Sequence, residues 1–309
     1  MTKILVTGGA GFIGSTITDI LVDRGDEVVI IDNFKTGKRE YVNPKATLYE
    51  ADITKEIDYI FEKEKPEKVI HAAANVLLRE SLKDPMMDAN INILGTINVL
   101  QSCVKHKVKK IIYCSTSARV GDPEYTPIDE KHPLRPCSPY GISKHSAEHY
   151  LETYNLNHGL DYLIFCFGNV YGPRDDPSTG RLTGLFIEKM IQGEAPKIYG
   201  DGNQTRDFIY VKDLANFLVS SLDKTPEHKL FHLANGKEVS VNEATEVMKK
   251  ATGFTGDIPH IEAIQGEIRK SVFDITLVQK ELGWDPKHTY EDGVKETAEW
   301  FKEKLSHKS

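Results

Sequence analysis

The stretch "KILVTGGAGFIGS" constrains this chain more than any other. A short β-rich apolar run leads directly into Gly8, Gly11 and Gly14 in GxxGxxG spacing, and a helical pattern follows from about Ser15. Residues without a Cβ permit a tight strand-to-helix turn and let a pyrophosphate approach the backbone amides at a helix N-terminus. Any sharp turn can use such a triplet, so the context decides. The second β-rich run ends "IIDN", which puts Asp32 18 residues after Gly14, where a carboxylate meets the ribose hydroxyls of a bound dinucleotide. A carboxylate there repels a ribose 2′-phosphate, so NAD is expected over NADP, with Lys35, Lys38 and Arg39 nearby as the counterweight.

The first half keeps one rhythm. "EVVIID", "ATLYEAD", "KVIHAAA" and "KIIYCS" alternate with helical patterns, the longest near Met87 to His106; a further helix begins at Tyr140 and leads to "LDYLIFCFGNVYG". This predicts an α/β fold with a doubly wound parallel sheet and helices on both faces. Beyond about Gly172 the pattern loosens into "GPRDDPSTGRLTG" and "YGDGNQTRD" before short helices resume. The expectation is a dinucleotide domain over 1–170 and a smaller α/β substrate domain over 171–309, the chain crossing back onto the first. A chain of 309 residues is long enough for both.

Charge and cysteines narrow the function. A net charge of -7 excludes a broad grip on a nucleic-acid backbone, so an anionic ligand must meet a local positive site. The runs "EKEKPEK" and "KHKVKK" read as solvated helix ends. The opening "MTKILVTGG" is too short and too soon interrupted for a signal peptide, and no stretch approaches a membrane span. Cys103, Cys114, Cys137 and Cys166 show no CxxC or zinc spacing, which predicts free thiols in a reducing, cytoplasmic setting.

In "SPYGISKHSAEHY", Tyr140 stands four residues before Lys144, so one helix face carries both side chains. A phenol with a pKa near ~10 is a poor base at neutral pH, and a neighbouring ammonium favours its phenolate. The pair is either chemistry or surface decoration. His145 and His149 share a face at metal-compatible spacing without a third ligand, so solvated or interface histidines are expected. His71 is expected to be buried and hydrogen-bonded.

With the glycine loop, Asp32, "HAAA" at His71 to Ala74 and the YxxxK pair, the chain resembles the extended short-chain dehydrogenase/reductase family. Within it, "DNFKTG", "RESLKDP", "NILGT", "GNVYGPR", "GDGNQTRDFIYVKD" and "LGWDP" are similar to the nucleotide-sugar 4-epimerases, nearly end to end. The resemblance implies a Rossmann-type fold and a homodimer formed through the helices near Met87 to His106 and Tyr140 to Asn155. It implies NAD held by Gly8, Gly11, Phe12, Ile13, Gly14, Asp32, Asn33, Thr36, Gly37, Asp52, Ile53, Ala72, Ala73, Ala74, Asn92, Tyr140, Lys144 and Phe167. The catalytic set it implies is Thr116, Tyr140 and Lys144, with Ser117 as the fallback for Thr116.

The substrate it implies is a UDP-hexose, contacted by Thr116, Asn169, Tyr199, Arg206, Arg269 and Ser271. Tyr199 would pack on the base and Arg206 would meet the diphosphate; an ion pair with the adjacent Asp207 is the competing reading of that arginine. Arg269 would replace the family's second phosphate arginine, whose place Ile264 takes. Ser271 stands where a bulky tyrosine closes the pocket of hexose-only members, so N-acetylhexosamines are expected to fit. Dehydrating and decarboxylating members carry acids after the catalytic hydroxyl; here Ser117 and Ala118 follow, which points to epimerisation. Cys114, near the position of a Cys/His pair used by other members, reads as core. Arg119-Val120 stands where the family has Val-Tyr, and Cys166 where it commonly has Arg. A nucleotide-sugar oxidoreductase and a non-catalytic NAD sensor are the competing readings; fold alone would not separate them.

Overall fold

A computed structural model describes residues 2–264 and 268–306. The chain forms two compact units: Met1–Asp122 with Pro133–Phe167 and Ala215–Phe231, and Pro123–His132 with Gly168–Leu214 and His232–Ser309.

In the first unit, strands β1 (Lys3–Thr7), β2 (Glu27–Asp32), β3 (Thr47–Glu50), β4 (Lys68–His71), β5 (Lys110–Thr116) and β6 (Asp161–Phe167) pair in parallel. A seventh strand, Leu230–Leu233, lies beside β6, giving the order seventh-β6-β5-β4-β1-β2-β3. The runs Ile4 to Val6 and Val28 to Ile31 are buried, as strands covered on both faces require. Phe61, Val99, Leu100 and Leu151 come from helices Asp58–Glu64, Gly95–Lys105 and Pro139–His158 and join one core with Leu5, Ile111 and Ile164. Each such side chain contributes about 1.5–3 kcal/mol on leaving water.

Three local details differ from the sequence expectation. The helix expected from Ser15 begins at Phe12, because Gly11 already holds the extended N-cap conformation. The long helix near Met87 to His106 runs as Pro85–Ala89, a π turn over Asn90–Leu94, and Gly95–Lys105. The units divide differently from a boundary at 170 in one stretch, since Pro123–His132 belongs to the second unit; Ala215–Phe231 is the segment that crosses back to the first. That returning segment is bound by its own chemistry, since Ile164 N–H donates to the Lys229 carbonyl at 2.7 Å and Phe165 packs on Phe217 and Phe231.

The second unit gathers helices Leu182–Ile191, Val241–Thr252 and Tyr290–Ser306 beside an aromatic cluster of Tyr171, Phe208, Tyr210 and Tyr290. Asp207 is its polar hub: the buried carboxylate accepts from the backbone of Asn235, Gly236 and Phe273 at 2.9, 3.0 and 3.2 Å. Among the described residues no helix is long and apolar enough to cross a membrane.

Candidate active site

Strand order reverses at β1, with β2 on one side and β4 on the other, and such a switch point opens a crevice at the strands' carboxyl ends. Gly8 follows β1 with φ +71°, and a Cβ there would stand 2.8 Å from the Ala73 nitrogen beyond β4. At Gly14 a Cβ would meet the Gly8 carbonyl oxygen at 2.1 Å. The helix beginning at Phe12 and Ile13 has no side-chain cap and no acid in its first turn, so its positive end is not offset by a carboxylate of its own. The cradle therefore fits a pyrophosphate.

Asp32 is buried beside this turn, with Oδ2 accepting from Ala10 N–H at 2.9 Å and Oδ1 from Phe34 N–H at 2.8 Å. Burial pushes its carboxyl up, against the pull of those two bonds. Gly37 comes so near that a Cβ would lie 2.7 Å from Asp32 Oδ1. Asn33 donates to Asp52 at 3.0 Å; burial raises the Asp52 carboxyl, but bonds from Thr54 and Asn33 outweigh it and hold the group below its usual range. Ile53 is buried, Ala72, Ala73 and Ala74 are half-buried, and Thr36 is exposed. Two cations near Asp32 are engaged elsewhere: Lys35 pairs with Glu80 at 2.9 Å and Arg39 with Glu50 at 2.5 Å. This fits an unphosphorylated ribose better than a 2′-phosphate.

β5 ends at Thr116, whose Oγ1 accepts from Ala118 N–H at 3.2 Å as the chain enters a 3-10 turn over Ser117–Arg119. The helix Pro139–His158 starts with Ser138 capping Gly141 N–H at 3.1 Å and with proline at its first position. Gly141 lets this helix approach the turn behind Thr116, because a Cβ there would lie 2.4 Å from the Ala118 carbonyl oxygen. Gly141→Ala is expected to force the helix from the turn and lower kcat at least about ten-fold, a misplacement effect that steady-state assay of the folded variant will read. Near-normal kcat would show that the contact is slack.

Tyr140 is fixed through its N–H, which donates to Ser81 Oγ at 3.3 Å. Lys144 is 2% exposed, with Nζ 4.0 Å from the Tyr113 ring centroid, a cation–π contact. Burial pushes its ammonium down to about 8, against the favourable fields of Cys114 and Glu148. Asn92, in the π turn, accepts from Asn75 N–H at 2.8 Å and donates to Ser143 Oγ at 3.0 Å and Asp88 Oδ1 at 3.1 Å, which ties it to the Tyr140 helix. Phe167 is buried at the end of β6.

His71 is buried, bonded to Thr7 at 2.6 Å and Thr96 at 3.0 Å, and burial holds its imidazole down to about 3, so it is neutral. Cys114 is a buried thiol. The rings of His145 and His149 lie 4.7 Å apart, and their partners are Glu148 at 2.8 Å and Glu152 at 3.2 Å.

The second unit holds Asn169, Tyr199, Arg206, Arg269 and Ser271. Asn169 N–H donates to the Asp207 carbonyl at 2.7 Å, in the pairing of Asn169–Tyr171 with Phe208–Tyr210. Tyr199 is 40% exposed and Ser271 half-buried. Arg206 Nη1 donates to the carbonyls of Thr205 and Ile268, each at 2.8 Å, and Thr205 N–H donates to the Arg269 carbonyl at 2.9 Å, so the two arginines share one neighbourhood. Arg269 itself forms a two-pronged pair with Asp201, both contacts at 3.0 Å. The Asp201 carboxylate is held far below its usual range by that guanidinium.

Sequence reasoning left Arg119 and Cys166 as two separate departures; the fold makes them neighbours. Arg119 Nη1 donates to Cys166 Sγ at 3.5 Å, and its Nε lies 3.1 Å from Glu148 Oε2. Glu148 was missed, although its place four residues after Lys144 was a signal: the same helix stripe continues inward.

A switch-point glycine cradle with a tyrosine and a buried lysine on one adjoining helix defines a class of dinucleotide-dependent enzymes. Residues 4–234 match the model of the NAD dependent epimerase/dehydratase family, and the chain belongs to that family. Among solved structures it is similar to a UDP-glucose 4-epimerase of Thermotoga maritima with UDP-glucose (38% identical, TM-score 0.94, 98% of this chain and 99% of that one). A Thermus thermophilus UDP-glucose 4-epimerase in complex with NAD is 33% identical, with TM-score 0.90 over 97% and 99%. A UDP-N-acetylglucosamine 4-epimerase of Methanobrevibacter ruminantium, in complex with UDP-N-acetylmuramic acid, is 32% identical, with TM-score 0.93 over 98% and 99%.

Proposed function

We propose that the chain catalyses reversible C4 inversion of a UDP-hexose through a 4-keto sugar, acting on UDP-glucose and UDP-galactose and on their N-acetylhexosamine counterparts. The observation that carries this reading is Lys144, buried with its ammonium lowered to about 8, one helical turn from Tyr140. Tyr140 takes the proton of the C4 hydroxyl as the C4–H bond breaks, leaving a carbonyl; on return it supplies that proton to the new hydroxyl. Thr116 bonds the reacting oxygen, and Lys144 favours the phenolate and holds the nicotinamide ribose. The glycine cradle and Asp32 would hold NAD, which would supply a reversible hydride acceptor with no net consumption.

The second unit is assigned the nucleotide sugar. Arg206 suits the diphosphate, and Arg269 would exchange the Asp201 carboxylate for a phosphate that fits the same fork. The small Ser271 supports room for an acetamido group. A homodimer is supported by apolar side chains left open on the helices named for it: Leu94 (57% exposed), Ile142 (51%) and Tyr150 (38%). A cytoplasmic setting is supported by four free thiols.

The test is an anomeric-proton NMR time course with UDP-glucose and, separately, UDP-N-acetylglucosamine, with no cofactor added. The galacto isomer is expected in both tubes. No change in either, even with NAD supplied, would overturn the reading and turn attention to an oxidoreductase that needs an external reductant.

A further inference from the structure

Thr116 must be held in register with a helix that its own strand does not pair with, and one buried side chain joins the two. Glu148 lies on the helix of Tyr140 and Lys144 and is 1% exposed. Its Oε1 accepts from Ser115 Oγ at 2.5 Å, one residue before Thr116. Its Oε2 meets Arg119 Nε at 3.1 Å, three residues after Thr116, as a charge contact without an aligned N–H. His145 Nδ1 lies 2.8 Å from the same oxygen, and Cys166 Sγ 3.7 Å from Oε1.

We propose that Glu148, with Ser115 and Arg119, is a positioning clasp that grips the strand end on both sides of Thr116 and sets its hydroxyl against Tyr140. This inference rests on the C4-epimerase reading. The geometry is selective, because a purely structural ion pair would need only one end of the segment. Arg119 is 5% exposed, and a charge buried there is costly unless paired, so the turn cannot leave Glu148 without taking the guanidinium from its carboxylate. Neither Ser115 nor Glu148 belongs to the glycine cradle, so loss of the clasp should displace Thr116 from the reacting oxygen while the cofactor cradle stays as it is.

Two variants test it. Ser115→Ala removes one contact without disturbing charge; the double variant Arg119→Met with Glu148→Gln removes the paired charges together, and because Glu148 also favours the Lys144 ammonium, its kcat is read across pH to separate a displaced Thr116 from a shifted Lys144. Each is assayed as the NAD-loaded protein for kcat and KM with UDP-glucose, beside amide exchange at Ala118, whose N–H bonds Thr116. The expected result is kcat about three- to ten-fold lower for Ser115→Ala and at least ten-fold lower for the double variant. KM should stay within two-fold, and Ala118 exchange should be at least ten-fold faster in the double variant. Should the double variant fail to fold, Ser115→Ala decides alone. A folded variant with kcat within two-fold of the parent overturns the clasp, as does a rise in KM that accounts for the whole loss. If the parent chain itself converts neither UDP-sugar, the epimerase reading is what fails; unchanged exchange at Ala118 would then overturn the clasp as well, and faster exchange would sustain it as an anchor of Thr116.

Discussion

Tyr140→Phe is expected to lower kcat by about 10³-fold while the protein still carries NAD. The substitution removes one oxygen and leaves the ring, so the helix, its Ser138 cap and the Ser81 contact to the Tyr140 N–H persist. The cofactor cradle is built from other residues, chiefly the glycine turn and Asp32. Only the proton acceptor disappears, and loss of a positioned acid–base group typically costs 10²–10⁴. NMR turnover and the nucleotide extracted from purified variant measure the two halves. A rate within ten-fold of the parent would remove Tyr140 as the base; loss of NAD would mean that the hydroxyl serves binding instead.

Lys144→Met is expected to move activity and stability in opposite directions. Turnover should fall at least about 100-fold, since the phenol loses its neighbouring cation. Stability at pH 7 should rise, because the folded chain carries a buried ammonium whose pKa is lowered from 10.5 to about 8. The sign follows from proton counting. Between pH 8 and 10.5 the unfolded chain keeps the lysine proton and the folded chain has released it, so parent stability climbs with pH across that window. Below about pH 8 the penalty is fully present, at most about 3.5 kcal/mol at ~1.4 kcal/mol per pKa unit. Methionine abolishes it, so the advantage of the variant should be largest at or below pH 8 and gone above 10.5. Denaturant midpoints at pH 7 and pH 10, without added nucleotide, will show the trend; a variant less stable than its parent at pH 7 would sink it.

What could be read from the sequence was whatever short-range spacing controls. The glycine triplet, Asp32 and the Tyr140–Lys144 step are set within one turn or one strand–turn–helix unit, and they point to a crevice and a helix face that the fold contains. The parallel sheet was legible for the same reason, since buried strands announce themselves as apolar runs. Contacts that depend on long-range placement were not. Glu148 reads as another polar helix residue until β5 and β6 place Ser115 and Cys166 against it. Arg269 reads as a replacement phosphate arginine, and its two-pronged engagement by the distant Asp201 could not be read beside it. The π turn at Asn90–Leu94 escaped because its pattern is nearly that of an ordinary helix; the Gly95 N–H bond to the Asn90 carbonyl, five residues back, reveals it.

The returning segment that lays Leu230–Leu233 beside β6 sets the order in which the sheet can be completed during synthesis. A ribosome that has released residues 1–170 has delivered β1 to β6, but the outer edge of β6 is still an open row of amides and carbonyls. Such an edge is a template for another nascent chain. More than 60 further residues must emerge before the strand ending at Leu233 can cover it. Gene fragments cut at the apparent domain boundary therefore keep the glycine cradle and the tyrosine helix yet leave the edge of β6 open, whereas a cut after the seventh strand keeps β6 covered.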